Sequence, residues 1–398
     1  MPRLNKRPDG RYQKKVYIGR DKDGKRNYKD VYGSTQKEVE EKAFEIKVSM
    51  KKGIDVSAER DTFCTWADKW LKLKNKSVSD ARLVVLKSHI KHLKRYLEYG
   101  QITKIRPVDI QEVIDDLSVM NPNTGRPMAK ETLSGLKRVA IQIFQYAIEN
   151  RVMDYNPAQA LEVKGGQARQ NRRALTQIEQ TWITDTPHRA QCAAMLMMLA
   201  GVRRGELIPL MWSDINLKAR TINVDKAVEK VDGAFVIIDG TKRRRSNVER
   251  SKRVVDIPQK LADFLAGEPR ESIYVCLSAD KKMHTPDSWD SMWDSYLADL
   301  NFKYGDFSSY LKRPKSKFDP GGVPFVIPRF TAHWLRHTFC TIMYLAGVDL
   351  LTAKYQMGHK DIKTTLGIYT HLDEIHKRKS MDKIDDYLDD ARHMHVSG

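Results

Sequence analysis

A chain of 398 residues is too long for one compact core, so two or three domains are expected. Hydrophobic residues make up 41%, which excludes disorder throughout, and no apolar run approaches the roughly 18–20 residues that span a bilayer. The net charge of +19 is spread over several segments rather than along one amphipathic helix, which points to nucleic acid and away from a membrane surface. The N-terminus MPRLNKRPDG lacks the apolar stretch of a signal peptide, so the cytosol is the expected compartment. The four cysteines, Cys64, Cys192, Cys276 and Cys340, lie far apart with no CxxC pair. They read as separate core thiols rather than zinc ligands or disulfides.

In chain order, residues 1–33 carry eleven Lys/Arg against four Asp/Glu. RYQKKVYIGR (11–20) and KRNYKDVYG (25–33) are aromatic and β-branched and flank the turn signal DKDG, which predicts two antiparallel strands. Strand-borne cations suit a DNA-reading sheet, with Arg11, Lys14, Lys15, Lys25 and Arg26 as candidate contacts. A helix follows: Thr35 and Glu38 form a capping-box pattern, and Val39, Ala43 and Ile46 share one face. Residues 50–62 read as a linker. Leu83, Leu86, Ile90, Leu93 and Leu97 then step by three and four, as do Leu133, Leu136, Ala140, Ile143 and Ala147. Residues 62–162 are therefore expected to be an all-helical domain of four or five helices. The segment 163–176 has four basic residues and no acid, and residues 163–175 read as a linker able to lie along a phosphate backbone. Thr176 and Glu179 open a second large domain with another capping box.

The second half carries the chemistry. LAGVRRGELIPLMWSDINL (199–217) reads as a helix and turn, with Arg203 and Glu206 three apart on one face. TAHWLRHTF repeats that spacing with His333 and Arg336, and GHKDIKTTLGIYTH supplies His359 and, ten residues later, Tyr369. Each pair alone is an ordinary surface feature. In this order, an Arg, a His-x-x-Arg, a Gly-His and a Tyr resemble the tyrosine recombinase (phage integrase) family, and the resemblance extends over the entire chain.

That resemblance implies a site-specific DNA recombinase that integrates or excises a mobile element of conjugative-transposon or phage type. Arg203 and Arg336 would clamp the non-bridging oxygens of the scissile phosphate with planar, always-charged forks. Tyr369 would be the nucleophile, leaving a 3′-phosphotyrosine that conserves the energy of the broken bond, so that neither metal nor ATP nor any other cofactor is needed. His333 would take the tyrosine proton, His359 would hydrogen-bond a phosphate oxygen, and Glu206 would orient Arg203 or His333 from behind. The family's general acid is a lysine at a β-hairpin turn. Residues 220–240 read as two strands around a turn, with 251–258 as a third. Lys242, directly after the second strand, is chosen as that acid, and Lys252 is the other candidate. Arg250 would be a poor proton donor. Seven of the twelve residues from Lys242 to Arg253 are basic, so Arg243, Arg244 and Arg245 are expected to touch DNA.

The fold expected is multidomain α+β. A small N-terminal three-stranded sheet plus helix (1–55, arm-type DNA binding) would precede a helical core-binding domain (62–162) and a linker (163–175). A mainly helical catalytic domain with a small antiparallel sheet and a C-terminal tail would occupy 176–398. The implied partners are double-stranded DNA at core and arm sites, and other copies of the chain, four in the synapse. Accessory excision or host DNA-bending factors could join them. No membrane is implied, and the setting would be the nucleoid of a bacterial cytoplasm. The tail, with Leu372, Ile375, Met381, Ile384 and Leu388 at near-helical spacing, would dock on a neighbouring protomer. A type IB-like topoisomerase and a catalytically silent DNA-binding regulator are the alternative readings.

Overall fold

The alternation of Val16 and Val31 with polar neighbours needs one apolar partner, and a helix provides it. The computed structural model describes residues 4, 6–20, 23–168, 173–231, 233–239, 252–310, 314–319, 322–359 and 361–369. The side chains of Glu59, Asp239, Thr364 and residues 367–369 are outside that description. The chain divides into two units, residues 1–170 and 171–398.

In the first unit, β1 (Tyr12–Arg20) and β2 (Arg26–Gly33) pair antiparallel, with Tyr17 opposite Tyr28 and Lys15 opposite Asp30. Helix α1 (Gln36–Lys51) starts where the Thr35 hydroxyl accepts from the Glu38 N–H, half of the expected capping box; the Glu38 carboxylate accepts from the Ser34 N–H and hydroxyl instead of the Thr35 N–H. Its Val39 and Ala43 bury against Val16 and Val31. Among the described residues this sheet has two strands, not the three expected. The preceding segment contributes a single bridge, Lys6 to Tyr12, because Pro8-Asp9-Gly10 turns the chain there and Pro8 has no N–H to donate.

Four helices follow: α2 (Phe63–Asn75), α3 (Asp80–Leu97), α4 (Pro107–Val119) and α5 (Lys130–Glu149). Thr62 and Ser79 cap α2 and α3 with their hydroxyls. Both leucine stripes read from the sequence are buried, and all of their residues except Leu83 share one core with Phe63, Trp66, Trp70 and Phe144. A helix whose apolar residues recur at three and four can hide only one face, and these helices hide that face against each other.

In the second unit, α6 (Gln177–Asp185) begins at the predicted capping box, with Glu179 accepting from the Thr176 N–H at 2.8 Å. Helix α7 (Gln191–Leu199) is apolar on every side, and Cys192 through Met198 are all buried. It is the central rod of this core, and α10 (Pro286–Tyr304) supplies Trp289, Met292 and Tyr296 to the same cluster.

The helix expected over 199–217 is broken. Helix α7 stops at Leu199, Gly201 takes a left-handed φ of +61°, and one α-helical turn, α8 (Arg204–Leu207), and a 3₁₀ turn at Trp212–Asp214 follow. The reason is steric. A Cβ on Gly201 would lie 2.3 Å from Phe339 Cδ1, and the chain turns where only glycine fits.

The strands also part from expectation. β3 (Ile215–Asn216), β4 (Thr221–Val224) and β7 (Arg253–Asp256) form one sheet in the order β3-β4-β7. β5 (Lys226–Val231) and β6 (Ala234–Asp239) form a separate hairpin. The single long strand read at 220–231 divides because the burial alternation slips at Asp225: Ile222 and Val224 are buried, but Ala227 and Val228 follow. The last elements are α9 (Gln259–Gly267), α11 (Ala332–Leu345), α12 (Leu350–Met357) and α13 (Ile362–Tyr369). Among the described residues no helix is long and apolar enough to cross a membrane.

Candidate active site

The break after α7 places Arg203. Its backbone is extended (φ −78°, ψ 150°) as the cap of α8. Glu206, three residues on, accepts from the Arg203 N–H at 2.9 Å and from its Nη1 at 2.7 Å. The two residues therefore meet as a helix cap and its carboxylate, not as neighbours on a helix face. Arg336 projects from α11 into the core and is 2% exposed. Its Nη1 donates to the carbonyl of Gly201 and its Nη2 to that of Met357.

A third arginine, not singled out from the sequence, completes the cluster. Arg253 opens β7 and is 4% exposed. It donates to both oxygens of Glu206, from Nη1 at 3.1 Å and from Nη2 at 2.8 Å, and from Nε to the Gln356 carbonyl at 3.1 Å. Arg203 Nη2 donates to the Gly358 carbonyl at 2.7 Å. Three consecutive carbonyls at the C-terminal end of α12 thus each hold one guanidinium. These carbonyls lack helical partners and sit at the negative end of the helix dipole, so cations are favoured there. Gly358 ends α12 in the left-handed conformation, φ +59°. A side chain there would also strike Arg253, 2.9 Å from its Nη1.

The electrostatics follow from three guanidiniums around one carboxylate. Burial by itself would raise the Glu206 carboxyl, but Arg253 and Arg203 overturn that and hold it at about 2. Burial, with Arg203 and Arg253 close by, lowers Arg336 to about 9, so it is still charged at neutral pH. His359 follows directly after the Gly358 cap, and its Nδ1 is 2.8 Å from the Thr365 hydroxyl of α13. Burial, then Arg336, Arg203, Arg253 and His333, push it down to about 4, so its ring is neutral at pH 7. Arg203, His333 and Arg336 line one cavity of about 600 Å³, with Trp289, Trp293 and Asp290 on its walls. His333 is exposed to it from the first turn of α11. The cluster is an anion site whose positive charge exceeds its own counter-charge.

Of the residues expected at the site, Arg203, Glu206, His333, Arg336 and His359 come together. Tyr369 is the last residue of α13, which packs against α11 and α12; its side chain lies outside the described residues. So do Lys242, Arg243, Arg244 and Arg245. Lys252 is exposed one residue before β7. In the N-terminal sheet, Lys15, Lys25 and Arg26 are exposed. Arg11 is exposed and bound to Asp9 at 2.9 Å. Lys14 points the other way: it shares the face of Val16 and pairs with Glu40 of α1 at 2.5 Å. The sequence reading also missed Thr365. Strand alternation could have found Arg253, since it shares a face with the buried Val255.

The family model described as the phage integrase family matches residues 168–376. A tyrosine recombinase XerC-like protein of Caldanaerobacter subterraneus subsp. tengcongensis is 25% identical over 391 residues, covering 94% of this chain and 96% of that protein. Among solved structures, the Tn1549 transposon integrase in complex with a circular intermediate DNA aligns with a TM-score of 0.63 at 17% identity, over 81% of this chain and 99% of that one. A lambda integrase tetramer bound to a Holliday junction aligns with a TM-score of 0.52 at 18% identity, over 91% and 96%. These two likenesses show the fold.

Proposed function

The chain belongs to the phage integrase family, and from that premise we propose how its site exchanges DNA strands. The protein is a tyrosine-type site-specific DNA recombinase, acting on the DNA of a mobile element through a phosphotyrosine intermediate. The observation that carries the assignment of roles is the arginine cluster. Arg203 and Arg336 face one cavity, fixed by backbone carbonyls and a buried carboxylate, with more positive charge than the protein balances.

A scissile phosphate in that cavity would supply the missing anion. As the Tyr369 oxygen attacks phosphorus, charge builds on the two non-bridging oxygens, and Arg203 and Arg336 meet it with donors already held in place. The phenol proton passes to His333. The P–O5′ bond breaks, the 5′ oxygen takes a proton from Lys242 or Lys252, and the phosphate remains on Tyr369 as a 3′ ester. The second strand's 5′ hydroxyl reverses these steps. His359 is neutral in the free protein; in the tautomer whose Nδ1 accepts from the Thr365 hydroxyl, its Nε2 would donate to a phosphate oxygen. Glu206 holds Arg203 and takes no proton.

The partner is double-stranded DNA. The N-terminal sheet and α1 (within 1–55) would hold arm sites through Lys15, Lys25 and Arg26. The helical domain (62–162) and the catalytic domain (176–398), joined by residues 163–175, would grip the core site from opposite faces. Four copies would pass through a Holliday junction, as the lambda integrase tetramer is bound to one. Accessory excision or host DNA-bending factors could complete the assembly.

The test is a nicked suicide substrate carrying the junction of the element's ends. Wild type should become covalently attached without added metal, and Tyr369→Phe should not. An adduct that persists in the phenylalanine variant refutes the assignment.

A further inference from the structure

The chemistry above uses two of the three clustered arginines. We propose that the third, Arg253, is a positioning residue for strand cleavage: it fixes Glu206, and through Glu206 sets the angle at which Arg203 meets the scissile phosphate. The proposal rests on the reading of Arg203 given above.

The geometry is specific. Arg253 is 4% exposed, and each of its three nitrogens donates to a protein acceptor, two to Glu206 and one to the Gln356 carbonyl. Unlike Arg203 and Arg336, it is not among the residues that line the cavity, so its fork serves the protein rather than the DNA. Glu206 is gripped from two sides. Its Oε1 accepts from Nη1 of both Arg203 (2.7 Å) and Arg253 (3.1 Å). Its Oε2 accepts from the Arg203 backbone N–H (2.9 Å) and from Arg253 Nη2 (2.8 Å).

A carboxylate on a one-turn helix has little else to hold it. Without Arg253, the most favourable partner left is the Arg203 fork, and the carboxylate would rotate to take both of its Nη groups. Arg203 would then turn from the phosphate toward Glu206 and lose its hold on the Gly358 carbonyl. A lysine at 253 keeps the charge but cannot bridge two oxygens in one plane. The backbone of Gly358 lies flat against the Arg253 guanidinium: a Cβ there would come within 2.9, 3.0 and 3.1 Å of Nη1, Cζ and Nε. The same arginine that orients Glu206 therefore also braces the residue whose carbonyl Arg203 holds.

The test uses the full chain and the same nicked substrate in two forms, one with a natural scissile phosphate and one with a methylphosphonate in both diastereomers. The neutral methylphosphonate does not need the charge that Arg203 brings. Cleavage of the natural substrate by wild type is the control; its failure would count against the proposed reaction and not against Arg253. With that control in hand, Arg253→Met should slow cleavage of the phosphodiester on the order of a hundredfold. Its loss on the methylphosphonate should be under about tenfold, with DNA affinity by gel shift unchanged. Arg253→Lys should fall between, and should decide the matter by the same ratio of rates if the Met variant does not fold. Wild-type rates in the variant, or equal losses on both substrates, would overturn the proposal; equal losses would reduce Arg253 to a scaffold contact.

Discussion

Replacing Glu206 with glutamine keeps the side chain's shape and removes the charge on which two guanidiniums converge. The carboxyl is held at about 2, against an ordinary value of 4.5. At about 1.4 kcal/mol for each tenfold change in proton affinity, that preference for the charged form is worth roughly 3 kcal/mol. Its side chain is only 11% exposed, so solvent screening removes little of it. Because the folded value is the lower one, this stability is fully present above pH 4.5 and is lost as the pH falls toward 2. Urea unfolding of the full chain, followed by tryptophan fluorescence, should show the effect in the transition of residues 171–398, which hold five of the seven tryptophans. Glu206→Gln is expected to lower that transition by roughly 3 kcal/mol at pH 7, and the gap should narrow below pH 4.5. A loss under about 1 kcal/mol at pH 7, within the range of ordinary exposed pairs, would refute the argument. So would a gap that stays constant with pH.

Other expectations are independent of that one. Thr365→Val should release His359 and cut the cleavage rate about tenfold, as loss of one hydrogen bond does, while Thr365→Ser keeps the rate; single-turnover kinetics measures both. Gly201→Ala adds a methyl 2.3 Å from Phe339 Cδ1 at a left-handed φ and should cost at least about 2 kcal/mol of stability in the same urea assay. Lys242→Ala and Lys252→Ala, tested on a 5′-phosphorothiolate whose leaving group needs no proton, identify the general acid: only the true acid's variant should recover. Deleting residues 376–398 should weaken synapsis in a gel-based assembly assay, and full synapsis would remove the tail from the coupling role.

The most legible parts of the sequence were those with a period. The stripes in α3 and α5 and the caps at Thr35 and Thr176 announced themselves, because burial repeats every three to four residues and caps need one specific hydroxyl. The order of Arg203, His333, Arg336, His359 and Tyr369 was legible as a pattern of residue types. What the sequence did not display was the backbone between them. Arg203 and Glu206 looked like helix neighbours because spacing alone cannot reveal a left-handed glycine forced by a ring on another helix. The strand break at Asp225 was hidden because both halves are β-branched, and only the slip in burial marks it. Arg253 was lost in a run of cations that reads as a solvated turn. Its burial depends on a carboxylate 47 positions away in sequence.

The row of carbonyls at Gln356, Met357 and Gly358 has a further consequence. Each accepts a different guanidinium, so the peptide repeat sets the spacing of the three arginines while the Glu206 carboxylate sets the angle of two of them. The Gln356 side chain ties the same turn to β7, donating to Asp256 Oδ2 at 2.7 Å and accepting from the Asp256 N–H at 3.1 Å. Inserting or deleting one residue there would shift all three arginines out of phase at once. For anyone shuffling segments between recombinases, the junction to preserve is the length of α12 up to its glycine, and a chimera that keeps every catalytic residue but miscounts this helix would be inert.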